Sequence, residues 1–267
     1  MTDLQIAMDT SDRPRMRKQE RREQILLELK LRPHVRIAEL AERFGVSGET
    51  IRRDFEELSS GGLLNRAHGG ASAPAHGQYP TFDERKRARV AERERIGRRA
   101  AALVRPGETV MIDSGSTTLQ LARFLAYEGT PCTVITNSLP VAMTLGGGEV
   151  QVILCPGDYL APESAVVGTD AVEYLDRHGV DRCLIGASAL SETGPSESVR
   201  GFAAIKRAML RQASQSHLLI DSEKFGKRGL AHVGRLGEFT SIVVDAMPTD
   251  SLGMRLSEAG VEVILAD

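Results

Sequence analysis

A chain of 267 residues is longer than one ordinary domain of about 100 to 200 residues and is expected to form two. Its 34 Lys and Arg nearly balance 36 Asp and Glu, and 41% of its residues are hydrophobic, which excludes general disorder and a cationic surface over the whole chain. The three cysteines, Cys132, Cys155 and Cys183, lie in or beside apolar runs without a close Cys or His partner, so they read as buried reduced thiols; neither a disulfide framework nor a metal site is expected.

No apolar run reaches the roughly 20 residues of a membrane helix, and Met1 to Asp12 lacks the apolar centre of a signal peptide. The expectation is a cytoplasmic protein with no membrane partner. The near-neutral total hides an asymmetry, because residues 13–71 hold 13 Lys and Arg against 9 Asp and Glu, an excess of four. That basic segment begins with an amphipathic helix from Arg17 to Leu31, with Ile25, Leu26 and Leu29 at helical spacing. A second short helix, Ile37 to Phe44, carries Ile37, Leu40, Ala41 and Phe44 on one side. Gly45 then supplies a tight turn, Val46 a core plug, and Ser47 the cap of a third helix to about Ser59. Ile51, Phe55 and Leu58 form the buried stripe of that helix, which turns Glu49, Arg52 and Arg53 outward. Arginine is suited to grip a guanine edge with two hydrogen bonds or to clamp a phosphate, and the helix N-terminus adds attraction for the DNA backbone. Gly61 to Gly70 reads as a small hairpin whose Arg66 and His68 reach a flanking groove or phosphate. The whole is a winged helix-turn-helix, with double-stranded DNA as its partner.

Leu40-Ala-Glu-Arg-Phe-Gly-Val-Ser47, Thr50-Ile-Arg-Arg-Asp54, Leu58 and Arg66-Ala-His-Gly-Gly-Ala71 resemble the DNA-binding signature of the DeoR family of bacterial transcription regulators. The match is dense over roughly fifty residues. It implies that Ser47, Glu49, Thr50, Arg52, Arg53, Arg66 and His68 face DNA. Gly48-Glu49 before Thr50 is a departure: Glu49 disfavours phosphate while accepting a hydrogen bond from a cytosine amino group.

The DNA-binding domain is therefore set at residues 17–71. Residues 72–81, small and bracketed by Pro74 and Pro80, read as a linker, and residues 82–267 as a second domain. The stretch from Phe82 to Leu103 is charged and helix-favouring. Beyond it, seven apolar runs alternate with helical segments: Thr109–Ile112, Cys132–Ile135, Val150–Leu154, Arg182–Ile185, His217–Ile220, Ser241–Val244 and Val261–Leu265. This pattern predicts an α/β domain with a mostly parallel sheet covered on both faces.

The first run leads into Asp113-Ser-Gly-Ser-Thr-Thr118 and then a helix from about Thr118 to Tyr127, a strand, small-residue loop and helix start that can cradle an anion. Gly115 lets backbone amides approach, Ser114, Ser116, Thr117 and Thr118 offer hydroxyls, and Asp113 accepts from sugar hydroxyls. The same residues also suit a plain capped helix. There is no Gly-Lys-Ser/Thr phosphate loop, so neither nucleotide hydrolysis nor a cofactor is expected. Other strand ends carry Thr136-Asn137-Ser138, Gly157-Asp158, Gly186-Ala-Ser188 and Asp221-Ser-Glu-Lys224. Lys206, on a helix from Ala203 to Gln215, and Lys224 are candidates to neutralise an anionic ligand.

Taken together, Asp113-Ser-Gly-Ser-Thr-Thr, Thr136-Asn-Ser, Lys206-Arg-Ala-Met and Asp221-Ser-Glu-Lys-Phe-Gly resemble the effector-binding domain of the same family. The resemblance implies a fold similar to ribose-phosphate isomerase and CoA-transferase proteins, a phosphorylated sugar or related metabolite as effector, and Asp113 to Thr118, Asn137, Ser138, Gly157, Lys206 and Lys224 as its site. It implies Glu-Ala four and three residues before the helix lysine, where this chain has Phe202-Ala203. The function expected is a DNA-binding regulator, usually a repressor, released by its effector. The alternative is a sugar-phosphate isomerase or acyl-transfer enzyme with an appended DNA-binding domain. Glu163 and Glu197 are available carboxylates for such an enzyme, yet each lies in a loop without a partner motif. One wing and one helix span a single half-site, so a homo-oligomer is expected.

Overall fold

The computed structural model describes residues 17–31, 34–60, 64–67, 69–72 and 82–267, and the chain divides into two compact units, 1–78 and 79–267. In the first, α1 (Lys18–Leu31) is followed by β1 (His34–Arg36), α2 (Ile37–Phe44), α3 (Gly48–Ser60), β2 (Asn65–Ala67) and β3 (Gly70–Ser72). Gly45 ends α2 in the left-handed region at φ 63°, and its N–H closes the last turn onto Ala41 and Glu42. The Ser47 hydroxyl accepts from the Thr50 N–H at 3.1 Å and so caps α3, as the sequence predicts. Ile25, Leu29, Leu40, Ile51, Phe55, Leu58 and Leu64 close a single core.

The strands form an antiparallel sheet in the order β1-β3-β2. β1 was not expected, because His-Val-Arg offers only one apolar residue; Val35 is buried while its neighbours face solvent. A Cβ on Gly70 would come within 2.2 Å of the Val35 carbonyl oxygen, so β3 lies this close to β1 only because that residue is glycine.

The second unit contributes α4 (Phe82–Arg87), α5 (Val90–Ala101), β4 (Thr109–Ile112), α6 (Ser116–Glu128), β5 (Thr133–Thr136), α7 (Leu139–Leu145) and β6 (Gln151–Leu154). After these come β7 (Asp158–Leu160), β8 (Ala165–Val167), α8 (Thr169–Asp176), β9 (Val180–Ile185), β10 (Ala189–Ser191) and β11 (Gly194–Glu197). The chain continues through α9 (Arg200–Gln212), β12 (Ala213–Leu219), β13 (Ala231–His232), β14 (Ser241–Val244), α10 (Asp250–Glu258) and β15 (Glu262–Leu265). All seven apolar runs fall in one sheet, ordered β15-β14-β12-β9-β4-β5-β6, and every neighbouring pair is parallel.

Alternation along the strands divides the core in two. Met111, Cys183, Ile185, Leu218 and Ile242 pack with α8, α9 and α10, whereas Val110, Ile112, Leu184, Leu219 and Val243 pack with α5, α6 and α7. The three thiols are buried and unpaired, and burial pushes those of Cys155 and Cys183 up to about 12, far from the thiolate that redox or metal chemistry needs.

Several boundaries differ from expectation. The charged stretch from Phe82 breaks into α4 and α5 at Arg89, which sits at φ 49°. The helix bearing Lys206 spans 200–212, and β12 starts four residues before the predicted run, with Arg182 donating to the side-chain Oε1 of Gln215. A polar strand start thus pairs with its neighbour through side chains that no hydropathy pattern reveals.

His217, buried in β12, lies 2.9 Å from the Ser241 hydroxyl and 3.2 Å from the guanidinium of Arg182. Burial first, and then the Arg182 charge, push its imidazole from the ordinary 6.5 down to about 4. The unfolded chain therefore takes up this proton before the folded one. The contribution to stability is complete above about pH 6.5 and is lost as pH falls through 4, amounting to about 3 kcal/mol. His217→Gln should flatten the loss of stability in urea titrations between pH 7 and 4. An acid limb as steep as that of the wild type would contradict this assignment.

Candidate functional site

On α3, the Ile51, Phe55 and Leu58 stripe is buried and Arg52 and Arg53 project to solvent, with side chains 56% and 75% exposed. Both lean on Glu49, at 3.2 and 3.6 Å. Exposed pairs of this kind are worth about 0 to 1 kcal/mol, so either guanidinium is free to turn to a nucleic acid. Arg66 on β2 is likewise exposed, 3.3 Å from Glu56, and with Arg52, Phe55, Ile37 and Gly70 it lines a groove between α3 and the wing. Thr50 is half-buried, and its hydroxyl meets that of Ser47 at 2.9 Å. His68 lies outside the described residues, as do Gly61 to Leu63 of the expected hairpin and most of the linker, residues 73–81.

Asp54, in the middle of the arginine motif, does something different. It is buried and accepts from Arg21 at 2.5 Å and Arg22 at 3.0 Å, fastening α1 to α3 and so setting the angle at which α3 is presented. Sequence reasoning missed this role because its partners lie more than thirty residues away.

In the second unit a cleft opens at the carboxyl ends of the central strands. It is lined by Ser114, Gly115, Ser116, Thr117, Lys206 and Lys224 from the predicted set, and by Arg85, Glu163, Gly186, Ala187, Glu197 and Phe202. The helix begins at Ser116, two residues earlier than predicted, so the Ser116 and Thr117 amides belong to its first turn and carry its positive end into the cleft. A Cβ on Gly115 would stand 3.1 Å from the Thr118 hydroxyl, tight against the loop's own turn.

Five predicted residues do not line the cleft: Asp113, which pairs with Lys206 beneath it, and four others. The Thr118 hydroxyl is fully buried and donates to the carbonyls of Asp113 and Gly115. Asn137 donates to the Val166 carbonyl at 2.9 Å and the Ser114 hydroxyl at 3.3 Å. The Ser138 hydroxyl caps α7 by accepting from Val141 N–H, and Gly157 sits at φ 134° where a Cβ would strike the Val167 carbonyl. These groups hold the loops rather than face a ligand, because short polar side chains at strand ends serve turns as readily as ligands. The Oδ1 atoms of Asp113 and Asn137 are buried without a hydrogen-bond partner.

Lys206 is the centre of charge. Its ammonium, 3% exposed, contacts Asp113, lies 3.1 Å from Glu197 and donates to the Gly186 carbonyl at 3.0 Å. Burial alone would push the ammonium down, but the two carboxylates outweigh it and hold Lys206 well above the ordinary lysine range. It is thus doubly compensated, not the free countercharge the sequence suggested. The same Asp113 oxygen, Oδ2, also accepts from the Gly186 N–H at 3.0 Å.

Glu163 and Glu197 do have partners. Glu163 meets Arg85 through two hydrogen bonds, 3.1 and 2.5 Å, and Glu197 accepts from Ser188 as well as Lys206. Lys224 donates to the Ala187 carbonyl at 2.7 Å and lies 3.7 Å from Asp221, which Arg93 and Arg89 also approach. Phe202, 5% exposed, supplies the one aromatic wall. Among the described residues no group of His, Cys, Asp and Glu is arranged to hold a metal, and no helix is long and apolar enough to cross a membrane.

Comparison with known proteins adds to this geometry. Residues 21–76 match the DeoR-like helix-turn-helix domain and residues 88–246 the DeoR C terminal sensor domain. The chain is 30% identical over 255 residues to the glycerol-3-phosphate regulon repressor of Escherichia coli, covering 93% of this chain and 99% of that protein. It is also 30% identical over 242 residues to the lactose phosphotransferase system repressor of Streptococcus mutans, covering 89% and 96%. Among solved structures, ribose 5 phosphate isomerase A from Neisseria gonorrhoeae is 16% identical, with 57% of each chain covered and a TM-score of 0.36.

Proposed function

The chain belongs to the DeoR family of transcriptional regulators, and on that basis we propose that it represses a carbohydrate-related operon and is released when a phosphorylated sugar or related anionic metabolite occupies the cleft. The observation that carries this reading is the pair of exposed guanidiniums on α3, opposite a buried stripe, in a chain whose second unit holds a polar cleft. The proposed limits are 17–71 for DNA binding, 72–81 for the linker and 82–267 for sensing. The division of the chain near residue 78 supports them. Ser47, Glu49, Thr50, Arg52, Arg53 and Arg66 are assigned to the DNA side; Ser114 to Thr117 and Lys224 to the effector, with Asp113 and Lys206 supporting the floor beneath it. The relatives' names support the regulatory reading.

Arg52→Ala and Arg53→Ala should each weaken binding to a duplex selected by the wild-type protein from a random-sequence pool, without unfolding. A lost base contact costs roughly 1 to 3 kcal/mol at one position, and a lost phosphate contact weakens all sequences and reduces the salt slope by about one. Fluorescence anisotropy is the measurement, and unchanged affinity in a folded double variant would refute the recognition role. A homo-oligomer, proposed from half-site geometry, is checked by sedimentation of the same samples.

The cleft is read as a sensor pocket and not as an isomerase or acyl-transfer site, because both of its lining carboxylates are held by cations instead of standing free as a base. Turnover of any phosphorylated sugar by the purified protein would reverse this. Phe202 makes one wall apolar where the family resemblance implies an acid, which favours a ligand with a deoxygenated edge there. Phe202→Glu should reorder the ranking in a thermal-shift panel of phosphorylated sugars and polyols toward more hydroxylated ones. An unaltered ranking in a folded variant would remove Phe202 from ligand selection.

A further inference from the structure

We propose that Arg85 reads the charge of the effector by exchanging Glu163 for the ligand's anionic group, an inference that rests on the sensor reading of the cleft. Three cations line this cleft, and each is engaged. Lys206 is locked, since freeing it would strand Asp113 and Glu197 in the interior. Lys224 has only a carbonyl close by and a distant share of Asp221, so it is the natural first attraction for an anion.

One cation is too little for a phosphate dianion, and Arg85 is the next within the lining. Its fork holds Glu163 through two oxygens, the same planar arrangement by which guanidinium holds a phosphate or carboxylate. Both partners line the cleft with side chains 8 and 10% exposed, so the ligand and Glu163 compete for one group.

The backbone on either side of the pair supports an exchange. Glu163 ends a single turn, Ala161–Glu163, and the next residue, Ser164, sits at φ 49°. Arg89, four residues after Arg85, also sits at φ 49°. These are the two non-glycine residues with positive φ among those described, and they flank the two halves of one ion pair. Left-handed serine and arginine are strained conformations that persist where surrounding contacts enforce them, and such strain gathers at switching segments. Here the enforcing contacts include Arg93, which donates to the carbonyls of Arg85 and Ala88, and Arg89 itself, bonded to Asp245 at 2.7 Å. In sequence α4 is the first element after the linker, so a change of partner at Arg85 acts on the segment through which the chain passes to the DNA-binding unit.

The test is calorimetric titration of the full-length protein with inorganic phosphate. Glu163→Gln removes the competitor and should tighten phosphate binding about tenfold, while Arg85→Gln/Glu163→Gln, which removes both charges of the pair, should weaken it about tenfold relative to wild type. If Glu163→Gln does not fold, the double variant decides alone, and wild-type affinity in it overturns the proposal. Phosphate binding that Ser116→Asp abolishes but Glu163→Gln leaves unchanged or weaker would overturn the exchange and leave the sensor reading standing. Wild-type protein that takes no phosphate, or takes it regardless of Ser116→Asp, would overturn both.

Discussion

Lys206→Met is expected to destabilise the second unit by about 3 to 5 kcal/mol, the cost of removing one partner from a buried ion cluster. Methionine fills the space of the lysine stem but leaves Asp113 and Glu197 facing each other without a cation, in surroundings where Asp113 already has one oxygen unpartnered. Urea titration followed by circular dichroism at pH 7 measures the loss. Adding Asp113→Asn should restore part of the loss by removing one of the stranded charges. A variant within 1 kcal/mol of wild type at pH 7 would show that the cluster is not held by its lysine.

Much of the architecture can be read from hydropathy because burial imposes it residue by residue. Each central strand is covered on both faces, so runs such as Val110-Met-Ile112 must be apolar without interruption, and all seven appear in the sheet. α2 was bounded to the residue by its apolar spacing and by Gly45. What hydropathy misses is pairing over long distances. Asp54 reads as a solvated charge until α1 brings two arginines to it, and Arg85 has no local signal at all, since its partner lies 78 residues onward. Short antiparallel elements such as β10 with β11 are invisible for another reason: three or four residues are too few to show a period. The site was legible at the level of the loop and not of the atom. Asp113 to Thr118 was located as a phosphate-type loop, but its residues divide between those that line the cleft, Ser114 to Thr117, and Thr118, whose hydroxyl closes the loop's own turn. Sequence gives the residue types at a strand end; only the packing around them decides which hydroxyl is left for a ligand.

The cradle itself yields the largest functional effect. Ser116→Asp/Thr117→Glu should produce a protein that binds its DNA but no longer responds to the effector. Both residues are 3 to 4% exposed and line the cleft at the first turn of α6, so new carboxylates there point into the space assigned to the anion. The positive end of the helix favours acids at this position by about 0.3 to 1 kcal/mol, which offsets part of the strain of the larger side chains and leaves the unit folded. A ligand charge about 4 Å from one carboxylate meets a repulsion of about 4 kcal/mol at the effective dielectric of a protein surface, about a thousandfold in affinity. Ser116→Ala/Thr117→Val, which keeps the volume and removes only the hydroxyls, should cost far less, on the order of tenfold. Calorimetry gives the affinities, and anisotropy of a labelled duplex during effector addition gives the response. The ordering matters more than either value, because repulsion requires the anion to lie at these amides. Undiminished binding by the acidic pair in a folded protein would mean that the anion binds elsewhere and that the Asp113 to Thr118 loop is, after all, only the capped start of a helix.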